Sequence, residues 1–147
     1  MMRLLSILLL TVARLAGEAV PICMVVTEED ARAIIGPTAK RTKDRSGCQW
    51  ADAGSKKELN VARIGVAGMF EQARAGTAKK GKTQDENGLG GAAFATIPSA
   101  GNGGRAAIYL LKGPAVLVVD INGFPAGGAE ERLPQVRNLV RKLALKL

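Results

Sequence analysis

Apolar positions along this chain change period several times, and each change marks an element. From Ala106 to Leu111 and from Ala115 to Ile121 the residues are almost continuously apolar, with only Lys112-Gly113-Pro114 between the two runs. Short runs rich in β-branched residues and bounded by Gly and Pro predict two strands of a hairpin at the centre of a sheet. Pro114 has no amide hydrogen to give a ladder, so it falls in the connection. In the second run Val116 and Val118 alternate with Leu117 and Val119, so both faces of that strand are apolar. One face should be covered fully and the other at least in part. On this reading the strand is a middle one, and Val118 lies beneath a closing helix.

Two further strand candidates, Cys48 to Ala51 and Leu59 to Val66, flank the turn residues Asp52-Ala53-Gly54-Ser55, and Ala93 to Ile97 supplies a fifth. Helical spacing appears in three places. Thr27 followed by Glu28-Glu29-Asp30 has the form of an N-cap and capping box, Ala31, Ile34 and Ile35 make a stripe, and Gly36-Pro37 ends it. Val66, Met69, Phe70 and Ala73 predict an amphipathic helix from Ala67 to Ala75 that stops at Gly76. Leu133, Val136, Val140, Leu143 and Leu147 form the stripe of the closing helix, with Pro134 in its first turn. Thr77 to Gly91 has no such period and reads as an exposed connection. The fold expected is α+β: an antiparallel sheet of about five strands, helices mainly on one face, and one disulfide.

With 147 residues, 47% of them hydrophobic, the chain suits one domain with a real core. Residues 1–19 stand apart. Arg3, the apolar run Leu4 to Val12, and small residues at Gly17 and Ala19 have the order of a cleaved signal peptide, leaving a domain of residues 20–147. The expected location is therefore the periplasm or the outside of the cell, or a membrane anchor if the segment is retained. The run is too short to span a bilayer, which takes roughly 20 residues. In an oxidising compartment the two cysteines, Cys23 and Cys48, are best read as a disulfide.

Candidate chemistry is sparse. The chain has no histidine, so neither a thiol nor Ser46, Ser55 or Ser99 has an evident base nearby, and two cysteines are too few for a zinc site. Gly88-Leu89-Gly90-Gly91-Ala92-Ala93 fits a dinucleotide-binding pattern in letters, but that pattern sits between a strand and a helix, and here a strand follows. No catalytic residue, metal or cofactor is expected. A pocket joining Asp120, Tyr109 and Arg63 would point to an enzyme; a flat basic face would point to binding.

Charge is the stronger signal. A formal charge of +8 attracts anionic partners, and the cations cluster at Lys40, Arg41, Lys43 and Arg45 and again at Lys79, Lys80 and Lys82. Arg137, Arg141, Lys142 and Lys146 extend the pattern onto the closing helix. These residues are the candidate partner-binding surface. Few aromatics accompany them, so specific nucleic-acid recognition is not expected. Peripheral membrane contact remains open.

The order of Cys23, Val26-Thr27-Glu28-Glu29-Asp30-Ala31 with Ile34-Ile35-Gly36, Cys48-Gln49-Trp50, Gly88-Leu89-Gly90-Gly91-Ala92-Ala93-Phe94 and Leu111-Lys112-Gly113 resembles small exported bacterial domains of unknown function. Many of those are described as lipoproteins, but Leu15-Ala16-Gly17 is followed here by Glu18 and not by a cysteine. The resemblance implies a helix, a hairpin, a helix, three strands and a helix, and carries no activity. The function expected is a noncatalytic envelope or periplasmic domain that binds an anionic or protein partner. A small secreted enzyme and a structural envelope component are the alternatives.

Overall fold

The computed structural model describes residues 21–42, 47–98 and 104–147. The expected signal segment, residues 1–19, and Lys43, Arg45, Ser46 and Ser99 lie outside these. The elements are α1 (Ile22–Val25), α2 (Glu28–Ile35), β1 (Ala39–Thr42), β2 (Cys48–Asp52), β3 (Glu58–Ile64), α3 (Gly68–Ala78), β4 (Gly81–Glu86), β5 (Ala92–Pro98), β6 (Ala106–Lys112), β7 (Ala115–Asn122), α4 (Gly128–Glu131) and α5 (Leu133–Ala144). The strands form one antiparallel sheet in the order β1-β2-β3-β7-β6-β5-β4.

The class is α+β, but the sheet has seven strands, not five. The two extra strands are β1 and β4, at the two edges. Their sequences, AKRT and GKTQDE, carry charged and polar residues that keep an open edge from pairing with other chains. That same composition hides them, so the basic loop at Lys40 and the exposed connection after Thr77 are both strands in part. The Ala106-to-Ile121 hairpin lies where expected, with β7 fourth of the seven strands.

Alternation divides the sheet into two unequal faces. Leu59 and Val61 of β3, Leu117, Val119 and Ile121 of β7 and Ile108 and Leu110 of β6 all point to one side and are at most 1% exposed. There they meet Ala31, Ile34 and Ile35 of α2 and the Leu133, Val136, Leu139, Val140 and Leu143 stripe of α5. Val118 belongs to the other side. It packs with Phe70, Phe94, Val116 and Tyr109 under α3, so Val119 and not Val118 lies on the side of the closing helix. Both phases of β7 are apolar, and the composition of the strand alone does not distinguish them.

Local chemistry places the helices. Thr27 accepts a hydrogen bond from the Asp30 N–H at 3.1 Å, and the Asp30 carboxylate accepts from the Thr27 N–H at 2.9 Å, completing the capping box. Gly36 follows at φ 136°, ψ 166°, which is a glycine conformation but not the left-handed helical one. A Cβ there would stand 2.9 Å from Asp52 Oδ2. α3 runs past Gly76 to Ala78, held by the Thr77 hydroxyl, which donates to the Ala73 carbonyl at 2.8 Å. Cys23 and Cys48 form a disulfide with Cα atoms 5.4 Å apart, tying α1 to β2, and Trp50 packs in the same core at 2% exposure.

Candidate functional site

On the α3 side of the sheet the apolar cover is incomplete, because α3 shields only the rows that contain Phe94, Val116 and Tyr109. Where the cover ends, a cleft of about 570 Å³ opens between the C-terminal end of α3 and the sheet. Thr77 and Lys80 form one wall, Arg105 lies at the rim, and Tyr109 and Asp120 form the floor, while Lys82 borders the cleft from β4 in register with Ile97, on the phase that turns to the α5 face. The lysines that follow α3 stand where cations offset the negative end of a helix dipole.

The Arg105 guanidinium donates to Asp120 Oδ2 at 2.8 Å, and Asn60 donates to the other carboxylate oxygen at 3.5 Å. The Asp120 side chain is only 13% exposed, whereas that of Arg105 is 63% exposed. One partner is therefore fixed in the floor and the other reaches into solvent. Hydrogen bonding to Asp120 pushes the Arg105 pKa up, so it is always charged. Burial, helped by the Asp120 charge, pushes the Tyr109 phenol up from its usual value and keeps it a hydrogen-bond donor. The Tyr109 ring stacks on Phe94 at 4.8 Å between centroids, and Phe70 meets Phe94 edge-on. This ladder of rings fixes the floor from beneath α3.

The cleft lies at one end of a longer feature. Thr42 pairs with Gln49, Gln49 with Asn60, Asn60 with Asp120, Asp120 with Ala107, Ala107 with Thr96 and Thr96 with Thr83. These seven residues form one row across all seven strands on the face that α3 leaves open, and all but Ala107 carry a hydrogen-bonding side chain. At about 4.8 Å between strands the row is about 29 Å long.

The chain matches no known family, curated protein or solved structure. The resemblance to exported domains thus gains no support from these comparisons, and the site must be read from its own chemistry.

The residues of the expected basic surface do not come together. Lys80 and Lys82 line the cleft and Lys79 is exposed beside it at the C-cap of α3, whereas Lys40 and Arg41 lie on β1 at the far edge of the sheet. Arg41 lies over the Trp50 ring at 5.9 Å, on the opposite face from Lys40. The cations of the closing helix are engaged as well. Arg137 makes a two-pronged pair with Glu86 at 2.7 and 2.8 Å, Lys142 reaches Asp30 at 2.6 Å, and Arg141 donates to Asn138. Asp120 and Tyr109 do meet, but Arg63 points to the other face, in register with Leu117. Arg105 joins them instead. The alternating polar positions Gln49, Asn60, Thr96 and Asp120 were visible in the sequence. Their alignment was not, because it depends on pairing β3 with β7 across 60 positions of sequence.

Asn87 to Gly91 forms the connection between β4 and β5, and Ala92 and Ala93 begin β5. Leu89 is buried, and a Cβ on Gly91 would lie 2.2 Å from the Leu111 carbonyl oxygen. These glycines permit close packing of backbone on backbone.

Proposed function

We propose that this chain is an exported, noncatalytic domain that holds an anionic partner in the cleft beside α3. The observation that carries the reading is the charge of the lining: the Lys80 and Arg105 side chains face a cleft in which Asp120 is the one acidic residue. Such an excess in a partly enclosed cleft attracts negative charge. Arg105 is planar and exposed enough to turn from Asp120 toward a carboxylate or phosphate, and the neutral Tyr109 hydroxyl adds a donor. The lining orients charge and supplies donors, with no nucleophile set against a base. Export is supported by the disulfide, a bond of oxidising compartments, together with the leader pattern in residues 1–19.

The test is a titration of ¹⁵N-labelled protein with phosphate, sulfate and citrate, followed through its amide resonances. Shifts should concentrate at Lys80 to Lys82, Thr96, Ala107 and Tyr109, and should vanish when Lys80 and Arg105 are both changed to Glu. Shifts spread evenly over the surface, or centred on Lys40 and Arg41, would refute the cleft as the site.

A further inference from the structure

We infer that the partner is an acidic glycan strand lying along the polar row, perpendicular to the β-strands, with its charged groups in the cleft. The inference rests on the cleft reading above and adds the class of ligand.

Asp120 decides the class. It lies in the floor between Arg105 and Asn60, and a carboxylate there repels a ligand that offers only negative charge. A bare polyanion would gain from Lys80 and Arg105 and lose at Asp120. A ligand carrying hydroxyls beside its anionic groups satisfies both, because a hydroxyl donates to Asp120 while the anion accepts from the cations. Sugar acids have this composition.

The row extends the argument. Asn60, Gln49 and Thr42 continue from Asp120 toward β1, all half-buried, and each can donate and accept. Amide and hydroxyl side chains repeating at the strand spacing match the hydroxyls of successive sugar units, since that spacing is close to the length of one pyranose ring. Lys40, on the same face at the β1 edge, places a cation at the far end. The other ring of this face, Phe94, is buried beneath Phe70 of α3, so stacked bases have no platform here.

The experiment measures binding of the intact protein to four probes at constant ionic strength: hexagalacturonate, galacturonate monomer, maltohexaose and hexaglutamate. Hexagalacturonate should bind more tightly than the monomer by about tenfold or more, because linked units add contacts along the row. It should also exceed maltohexaose, which lacks charge, and hexaglutamate, which lacks hydroxyls. Gln49→Ala, two strands away from the cleft floor, should weaken the hexamer about fivefold and leave the monomer unchanged, with an unaltered melting profile as the folding control. Equal binding of hexaglutamate and hexagalacturonate would overturn the glycan and leave the anion site standing. Equal binding of monomer and hexamer, or no effect of Gln49→Ala, would overturn the row. Failure of all four probes would remove the anion site too.

Discussion

Thr38 donates both its backbone N–H, at 3.1 Å, and its hydroxyl to the same oxygen of Asp52, which lies on the strand beyond the β1–β2 connection. Ser55 donates to the second carboxylate oxygen at 2.7 Å. Three donors thus converge on a carboxylate that is 7% exposed, and they join the exit from α2 to the turn after β2.

The pH dependence follows from these bonds. The Thr38 side chain, then Ser55, hold the Asp52 carboxyl below the usual carboxylate value of about 3.9. A pKa depressed by folding stabilises the protein above the unfolded value, and the benefit disappears as pH falls through the folded value. Thermal melts from pH 7 to pH 2 should therefore lose midpoint mainly below about pH 4. Asp52→Asn should melt lower at pH 7 and show a shallower acid limb. An equally steep limb in the variant would assign the acid sensitivity elsewhere, with Asp30 next in line. Burial opposes ionisation of Asp30, but bonds from Lys142 and Thr27 outweigh it and hold its pKa low too.

Arg137 is the partner that keeps Glu86 tolerable inside the protein, where the carboxylate side chain is 7% exposed. Removing one member of a buried pair strands the other, but the Arg137 side chain is 25% exposed and some water can replace it. Arg137→Ala should therefore cost about 2–3 kcal/mol in denaturant unfolding, below the value for a fully buried pair. Glu86→Gln combined with Arg137→Met should recover most of that loss. No recovery would mean that Arg137 acts through its packed stem and not its charge.

The two phases of β7 make unlike predictions. Val119 is 0% exposed on the α5 side, and Val119→Asp buries an unpaired carboxylate and should leave no cooperative melt. Val118 is half-buried on the α3 side, where a carboxylate can reach water. Val118→Asp should fold with a lowered midpoint. The opposite ranking would place the closing helix on the wrong face.

The Cys23–Cys48 bond closes a loop of 25 residues. Cys48→Ala should cost roughly 2–4 kcal/mol, the range for a bridge of this span. Protein recovered from outside the cytoplasm should show no titratable thiol when denatured without reductant, and should begin near Val20. Two free thiols would refute the bridge, and an intact Met1 would refute cleavage of the N-terminal segment.

The sequence was most legible where burial imposes a period. The α2 cap, the α5 stripe and the β6–β7 hairpin can each be read from neighbours in the chain, since their apolar residues recur at 3.6 or run without a break. β1 and β4 were not legible, because an edge strand that must repel other edges is written in charged and polar residues. The site was legible only in fragments. Tyr109, Asp120 and the two lysines were singled out, while Arg105 gave no local signal, and it matters only because Asp120 is its neighbour across the sheet.

The strand order also sets how the chain can assemble in time. β1, β2 and β3 pair with their sequence neighbours, as do β4 through β7, so each half can form by short-range closure. Among the strand pairings, only the β3–β7 ladder, from Glu58 opposite Asn122 to Ile64 opposite Val116, joins residues far apart in sequence. Closing that seam carries the largest loop entropy and is the slow step expected of the topology. The polar row crosses the same seam at Asn60 and Asp120, so the binding surface exists only once that ladder has closed.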